Sequence, residues 1–291
     1  PDTFSALRLH RFEIAPATRA DEPQWLGSLA EDKRVTLILD LRETPLEYLT
    51  ECRRRAHKLV VIADFPNRMY DCDFLVDQTI GRTASEYASL VPASCKVLTG
   101  AQYALVGKAF TALRGVAQRR RKAEPARRLL LSFGATDPFN YLGRLLPSLV
   151  EAAPGLKIGI AAGARRLDDV NSIIEREAGR ISVLRSADEM PRAVLDADLA
   201  VGLAGASAWE RCVLGLPAVL FVPSNYYRLA TERLAASGAA AAMGDDQFDA
   251  DATARGITTL ANDGARLAQM SLKAFALCDG AGAARIVNAL R

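Results

Sequence analysis

Two small-residue turns, about seventy residues apart, hold the groups best suited to chemistry. One reads Leu131-Ser132-Phe133-Gly134-Ala135-Thr136-Asp137, the other Val201-Gly202-Leu203-Ala204-Gly205-Ala206-Ser207-Ala208-Trp209-Glu210. Each stands where an apolar run hands over to a helical pattern. Each therefore exposes backbone N–H groups at a helix start, where unpaired donors and the helix dipole favour an anion. A glycine such as Gly134 or Gly205 lets a phosphate approach the backbone with no Cβ in the way. Two such turns in one sheet suggest a diphosphate site, with Gly134, Ala135, Thr136 and Asp137 on one side and Gly205, Ala206 and Ser207 on the other. Thr136 or Asp137 equally suits capping the helix that follows.

The residues beyond the second turn extend the reading. Ser207 and Glu210 have the Ser-x-x-Glu spacing of a capping box, in which the carboxylate serves the helix's own backbone. Facing a ligand instead, that carboxylate offers two acceptor oxygens to the vicinal hydroxyls of a ribose. Asn225 opens a helix on the same rim, where an asparagine is most often a cap. Ser186 to Met190 follow another strand, and their backbone groups could pair with a nucleobase edge, although most such loops are helix entries.

The elements that must hold these residues are plain after Pro125. Strands are expected at Arg128–Phe133, Lys157–Ala161, Ile181–Leu184, Leu199–Leu203 and Ala218–Val222, mostly near-continuous apolar runs of the kind a parallel sheet buries on both faces. Between them Leu142, Leu145, Leu146, Leu149 and Val150 share one helix face. This alternation implies an α/β, doubly wound sheet. The N-terminal third is weaker, with strands expected at Val35–Leu39, Leu59–Ala63, Phe74–Val76 and Val97–Leu98 and a helix at Pro45–Lys58. Three of those strands run into Asp40, Asp64 and Asp77, acids expected on the rim where open α/β sheets bind ligands. Residues 250–291 read as helices broken near Asp279, Gly280 and Gly282, with no chemistry assigned.

A chain of 291 residues is long for one hydrophobic core. The expected division is an N-terminal domain over 1–115, a linker over 116–127, a C-terminal nucleotide-binding domain over 128–278 and a last helix over 279–291. Basic residues gather at the linker, among them Arg119, Arg120, Arg121, Lys122 and Arg127. Such a tract can meet phosphates, but a solvated linker is the commoner explanation. A net charge of +3 with 24% charged and 50% hydrophobic residues describes a soluble globular protein and excludes a disordered or nucleic-acid-coating one. The five cysteines show no CxxC spacing and the histidines are only His10 and His57, so neither a zinc site nor a disulfide framework is expected, and reduced thiols suit a cytoplasm. No apolar run reaches the roughly 18 residues that span a bilayer. No signal peptide is visible, and a chain that begins at proline need not begin where its gene does.

The string Gly205-Ala-Ser-Ala-Trp-Glu-Arg-Cys-Val-Leu-Gly-Leu-Pro217 resembles a segment of the UDP-sugar hydrolases of pseudaminic acid biosynthesis and their spore-coat polysaccharide relatives. Ser132 to Asp137 resembles that family's Gly-Gly-Thr-Asp turn. Further matches are Leu90-Val91-Pro92, Gly100 with Tyr103-Ala104-Leu105, and Asp279-Gly280-Ala281-Gly282 with Arg285. The resemblance implies a GT-B-like architecture of two Rossmann-type domains with a cleft between them, here with an N-terminal domain one or two strands short. It implies a nucleotide sugar as the small-molecule partner, with the diphosphate against Gly134, Ala135 and Gly205 to Ser207, the ribose on Glu210 and the base near Met190. Asn225 would orient the substrate near the cleaved bond, and Asp40, Arg42 and Tyr103 would line the sugar or acceptor side. The implied reaction is hydrolysis of the glycosyl C–O bond, releasing UDP and a free diacetamido sugar with no metal and no cofactor.

This chain departs from the family at several points. The Gly-x-Gly-His-x-x-Arg loop that supplies the family's catalytic histidine has no counterpart, the family's Asp-x-Tyr reads Asp40-Leu41-Arg42, and the glutamine after the matched asparagine is Tyr226. The second glycine of each turn is Ala135 or Ala206. Imidazole suits activation of water near neutral pH, so its loss bears on the chemistry directly. Either an N-terminal segment is missing from a complete enzyme, or the protein diverges in catalysis. A glycosyltransferase on the same donor, with Arg42 meeting an acidic acceptor, and a non-catalytic nucleotide-sugar binder stand as alternatives.

Overall fold

Apolar runs of four or five residues, alternating with amphipathic segments, are buried as parallel strands flanked by helices. The computed structural model describes residues 35–163, 167–244 and 248–291. The chain divides into two units, one ending at Asp77 and resuming over Thr83–Leu98, the other made of Gln78–Arg82 and Thr99–Arg291.

The first unit holds β1 (Thr36–Leu39), α1 (Leu46–Arg55), β2 (Lys58–Ile62), β3 (Phe74–Asp77) and most of β4 (Lys96–Thr99), in the sheet order β1-β2-β3-β4. β2 pairs in parallel with both β1 and β3, placing Leu37 beside Leu59 and Val60 beside Phe74. Helix α1 carries Glu47 in its first turn and Arg53 to Arg55 in its last, charges that suit its dipole, and buries Leu49 and Cys52. Asp77 corrects the expectation of a rim acid: it closes β3 fully buried, and its Oδ2 accepts a 2.8 Å hydrogen bond from the Tyr87 hydroxyl, itself fully buried. Tyr87→Phe is expected to lower the stability of this unit by about 1.5 kcal/mol. A urea midpoint equal to that of the native protein would show that the bond contributes nothing.

The second unit adds α2 (Lys108–Thr111), α3 (Arg114–Arg120), β5 (Arg128–Ser132), α4 (Tyr141–Ala152), β6 (Lys157–Ala161), α5 (Asn171–Arg176) and β7 (Ile181–Leu184). It continues through α6 (Met190–Asp196), β8 (Leu199–Leu203), α7 (Ala206–Val213), β9 (Ala218–Val222), α8 (Asn225–Ala236) and β10 (Ala240–Gly244) to α9 (Ala250–Asn262), α10 (Gly264–Leu277) and α11 (Gly282–Leu290). The sheet order is β10-β9-β8-β5-β6-β7, with every neighbouring pair parallel. Strand order therefore reverses between β5 and β8, the place where an open α/β sheet leaves a crevice at its carboxyl edge. β8 and β9 are buried along their whole length. β10 was not expected: Ala240 to Ala242 have poor strand propensity, and the segment is extended because it pairs with β9.

The first part of the basic stretch lies in helix α3, and three of the basic residues, Arg114, Arg120 and Arg121, are tied to carbonyls of the second unit rather than solvated, whereas Arg119, Lys122 and Arg127 are exposed. Arg114 donates to the carbonyls of Val213 (3.0 Å), Phe275 (2.9 Å) and Cys278 (2.8 Å). Arg121 donates to Val194 (2.9 Å) and Leu214 (3.1 Å), and burial pulls its pKa down to about 10. At the far end, Arg285 of α11 donates to the Gln102 carbonyl at 2.9 Å, and Gly282 lies so close to Ala104 that a Cβ there would strike its carbonyl oxygen. Among the described residues no helix is long and apolar enough to cross a membrane.

Candidate functional site

The loops that follow β5, β6, β7 and β8 line one cavity of about 210 Å³ at the carboxyl edge of the second sheet. Gly134 and Ala135 come from the first expected turn, Ser207 from the second, and Ser186 and Met190 from the third loop. Three segments singled out from separate parts of the sequence thus meet at one place. Two strands must approach closely to bring the first two turns together. Gly202 of β8 pairs with Ser132 of β5, and a Cβ at Gly202 would collide with the Ser132 carbonyl oxygen. Gly134 has φ +89°, and nothing lies within 4 Å of where its Cβ or that of Gly205 would be, so both backbones face open space. Gly163, which the sequence did not single out, also lines the cavity at φ +55°, with the Ala135 carbonyl oxygen 3.0 Å from where a Cβ would stand. Its signal was a glycine two residues past the end of an apolar strand.

Arg185 is the charged residue that lines the cavity itself, and Glu210 and Arg211 follow Ser207 on helix α7. The expected Ser207–Glu210 capping box does not form, because Gly205 is the N-cap of α7 and Ser207 is already its second residue. Glu210 is left half-buried, with no hydrogen bond or ion pair among the described residues, and burial raises its pKa against a smaller opposing effect of Arg211. Arg211 is 2% exposed. Its guanidinium donates to the Leu203 carbonyl at 2.6 Å and to Ser207 Oγ at 3.2 Å, and burial draws its pKa down to about 10. No carboxylate pairs with it among the described residues, so a cation stands buried beneath a turn that lines the cavity. Arg211 was not foreseen, although an arginine among Ala208, Cys212 and Val213 on the apolar face of a helix is a signal of this kind.

Other expected residues divide between open and committed. Gly134, Ala135 and Thr136 are exposed, whereas Asp137 is buried at φ +44° and its two carboxylate oxygens accept from the N–H groups of Tyr141 (3.0 Å) and Leu142 (2.9 Å). Asp137 thus serves the start of α4 rather than presenting itself to a ligand. Asp137→Asn keeps the left-handed backbone and one acceptor while losing the other. It is expected to cost about 1 kcal/mol of stability. Calorimetry should find its affinity for a diphosphate ligand unchanged, and a weakened affinity would return Asp137 to the binding set. In the third loop, Glu189 accepts from the N–H groups of Arg185 (3.0 Å) and Ser186 (2.9 Å), a capping box that fixes the approach to Met190. Ser224 is the N-cap of α8, and Asn225 is its first residue, exposed, with Oδ1 accepting from Arg228 Nε at 3.2 Å.

Asp40 and Arg42 are exposed just after β1 in the first unit, where the Arg68 guanidinium donates to the carbonyls of Leu41 and Arg42. Tyr103, expected in the N-terminal domain, belongs to the second unit, in a short helical turn at Ala101–Tyr103. His10 lies outside the described residues.

The glycosyltransferase family 28 C-terminal domain matches residues 130–287, which contain the whole cavity. A UDP-N-acetylglucosamine–N-acetylmuramyl-(pentapeptide) pyrophosphoryl-undecaprenol N-acetylglucosamine transferase of Geobacter sulfurreducens is 30% identical over 161 residues, 52% of this chain and 44% of that protein. An uncharacterized protein of Methanocaldococcus jannaschii is 23% identical over 133 residues, 44% of this chain and 28% of that one. The chain thus matches less than half the length of these curated relatives. Among solved structures, MurG of Acinetobacter baumannii superposes with a TM-score of 0.62 at 16% identity, covering 91% of this chain and 74% of that one. A putative UDP-N-acetylglucosamine 2-epimerase of Listeria monocytogenes gives 0.67 at 12% identity, covering 96% and 81%. The fold is GT-B glycosyltransferase-like, and none of these relatives is named as a hydrolase. With more than half of its length matched by the family, the chain belongs to the glycosyltransferase family 28 C-terminal domain family.

Proposed function

We propose that the second unit binds the nucleoside diphosphate part of a nucleotide sugar, and that the protein transfers the sugar to an acceptor. The observation that carries this reading is the single cavity lined by Gly134, Ala135, Ser186, Met190 and Ser207, with Glu210 half-buried and unpaired on the helix that starts there. The diphosphate would lie against the N–H groups at Gly134–Ala135 and at the start of α7, with the Arg211 cation beneath. Negative charge that grows on the departing diphosphate as the glycosyl C–O bond breaks would be held by donors already in place, which is where such donors lower a barrier most. Glu210 would accept hydrogen bonds from the ribose, and the loop before α6 would face the base. Asn225 would stand near the cleaved bond, and Asp40, Arg42 and Tyr103 are the candidates for sugar or acceptor contacts.

Uridine is the base favoured here. An Anabaena protein of the same fold is described in complex with UDP-glucose, a Staphylococcus aureus one with UDP, and the Geobacter relative is named for a UDP-sugar reaction. The narrower reading drawn from residues 205–217, hydrolysis of a UDP-diacetamido sugar, is transfer to water at the same site. Membership in a transferase family favours an acceptor other than water.

Calorimetric titration with UDP, CDP and GDP, followed by product analysis of a bound UDP-sugar with and without candidate acceptors, tests this. UDP binding with acceptor-dependent turnover supports transfer, and turnover in water alone supports hydrolysis. No binding of any of the three removes the nucleotide-sugar reading.

A further inference from the structure

The amino edge of the second sheet, opposite the cavity already described, carries a larger hollow of about 540 Å³, a size ordinary for ligand pockets. It lies where strands begin: Arg128 starts β5, Asp198 precedes β8 and Pro217 precedes β9. Six cationic side chains, Arg119 to Lys122 with Arg127 and Arg128, face two carboxylates, Glu124 and Asp198.

Asp198 is already engaged. It accepts from the N–H groups of Arg127 (2.9 Å) and Arg128 (3.0 Å) and pairs with Arg120 at 2.7 Å. Arg121 is spent on backbone carbonyls. Arg119, Lys122 and Arg127 have no acidic partner among the described residues, and the three side chains are exposed around the hollow. An independent observation points the same way. Ser271 of α10 lines this hollow at 3% exposure, and its hydroxyl has no hydrogen-bond partner. A buried hydroxyl in a native fold is nearly always paired, so an unpaired one beside a cationic hollow marks the place of a missing acceptor.

We propose that this hollow is a second anion site, taking a phosphate-bearing ligand held by Arg119, Lys122 and Arg127 with the Ser271 hydroxyl donating to a phosphate oxygen. A phosphate fits better than a carboxylate because several arginine forks and an ammonium need more acceptor oxygens and more charge than one carboxylate offers. The site is separate from the first cavity: β5 has Arg128 in one and Ser132 in the other, roughly 13 Å apart along the strand. Either a soluble phosphate compound or the headgroup of an anionic lipid supplies this chemistry.

Pyrophosphate is titrated into the full chain while backbone amide NMR signals are followed. It should shift residues 119–128 and the neighbourhood of Ser271. The combined Arg119→Ala, Lys122→Ala and Arg127→Ala variant removes no side-chain bond described in the fold and should weaken that response by at least about tenfold. Ser271→Ala should weaken it by about threefold. In a second arm, vesicles of phosphatidylglycerol or of phosphatidylcholine are sedimented with the protein. Capture by phosphatidylglycerol alone, lost in the triple variant, identifies a lipid source, and a pyrophosphate response without vesicle capture identifies a soluble one. Shifts confined to the loops after β5 and β8, a triple variant that behaves as the native chain does, or no response to either probe would overturn the proposal.

Discussion

Glu210→Ala is expected to weaken UDP binding by about 1–3 kcal/mol, the loss that follows from removing hydrogen bonds to a charged group. The fold should survive the change, because Glu210 serves no helix cap and makes no hydrogen bond among the described residues. The pH dependence has a definite sign. Burial raises the Glu210 pKa in the empty site. Its neutral form therefore contributes stability that is present below the ordinary carboxylate range and is lost as pH rises through the raised value. Ribose hydroxyls would donate best to the ionised form, so UDP binding at Glu210 is expected to draw that pKa back down. Affinity should rise with pH through the same window, and UDP-induced stabilisation should grow with it. Glu210→Gln keeps one acceptor but cannot ionise, so its affinity should lack this component. UDP's own phosphate titration is common to both proteins and cancels in the comparison. Calorimetry at a series of pH values reads both effects, and unchanged affinity in a folded Glu210→Ala protein would remove this residue from the ribose site.

Phe221→Ala is expected to cost about 3–5 kcal/mol of stability, the range for truncating a fully buried aromatic ring. Phe221 is fully buried in β9, which is paired on one side with β8 and on the other with β10, so the backbone has little freedom to close the void. Its ring stacks on Tyr141 at 4.5 Å and meets Phe133 at 5.9 Å and Phe248 at 5.7 Å. Aromatic pairs of this kind add about 0.5–1.5 kcal/mol beyond the area they bury. Phe133 directly precedes Gly134, so the same void should loosen the first turn of the cavity and lower UDP affinity. Phe221→Leu, which leaves a smaller void, should recover most of the loss. Urea denaturation of the three proteins tests the series, and a Phe221→Ala cost below about 1 kcal/mol would mean that the cluster does not act as a packed unit.

Strand positions in the second unit were legible because five-residue apolar runs bounded by glycine, proline and acids admit few other readings. Leu199–Leu203 and Ala218–Val222 were expected at the bounds they occupy. β10 was hidden because alanine does not announce a strand, and only the edge of β9 makes one of it. The two turns were recognisable from glycine placement, but the fate of each side chain depends on a single residue of helix phase. Starting α7 at Ala206 rather than after Ser207 converts a capping glutamate into an unpaired one. Arg114, Arg120 and Arg121 read as part of a solvated tract because their acceptors are carbonyls far along the chain, which no local pattern reveals. Arg211 had a local signal, its place on the apolar face of α7, but its main partner is the carbonyl that ends β8, which is near it only once strand and helix have formed.

Arg285 on Gln102 and Gly282 against Ala104 have a mechanical meaning as well as a structural one. They bring helix α11 back to the segment by which the chain re-enters the second unit, so two stretches 183 residues apart are fastened side by side. A pull that drew helix α11 away from that segment would be borne first by this clasp, before any strand of the sheet was loaded.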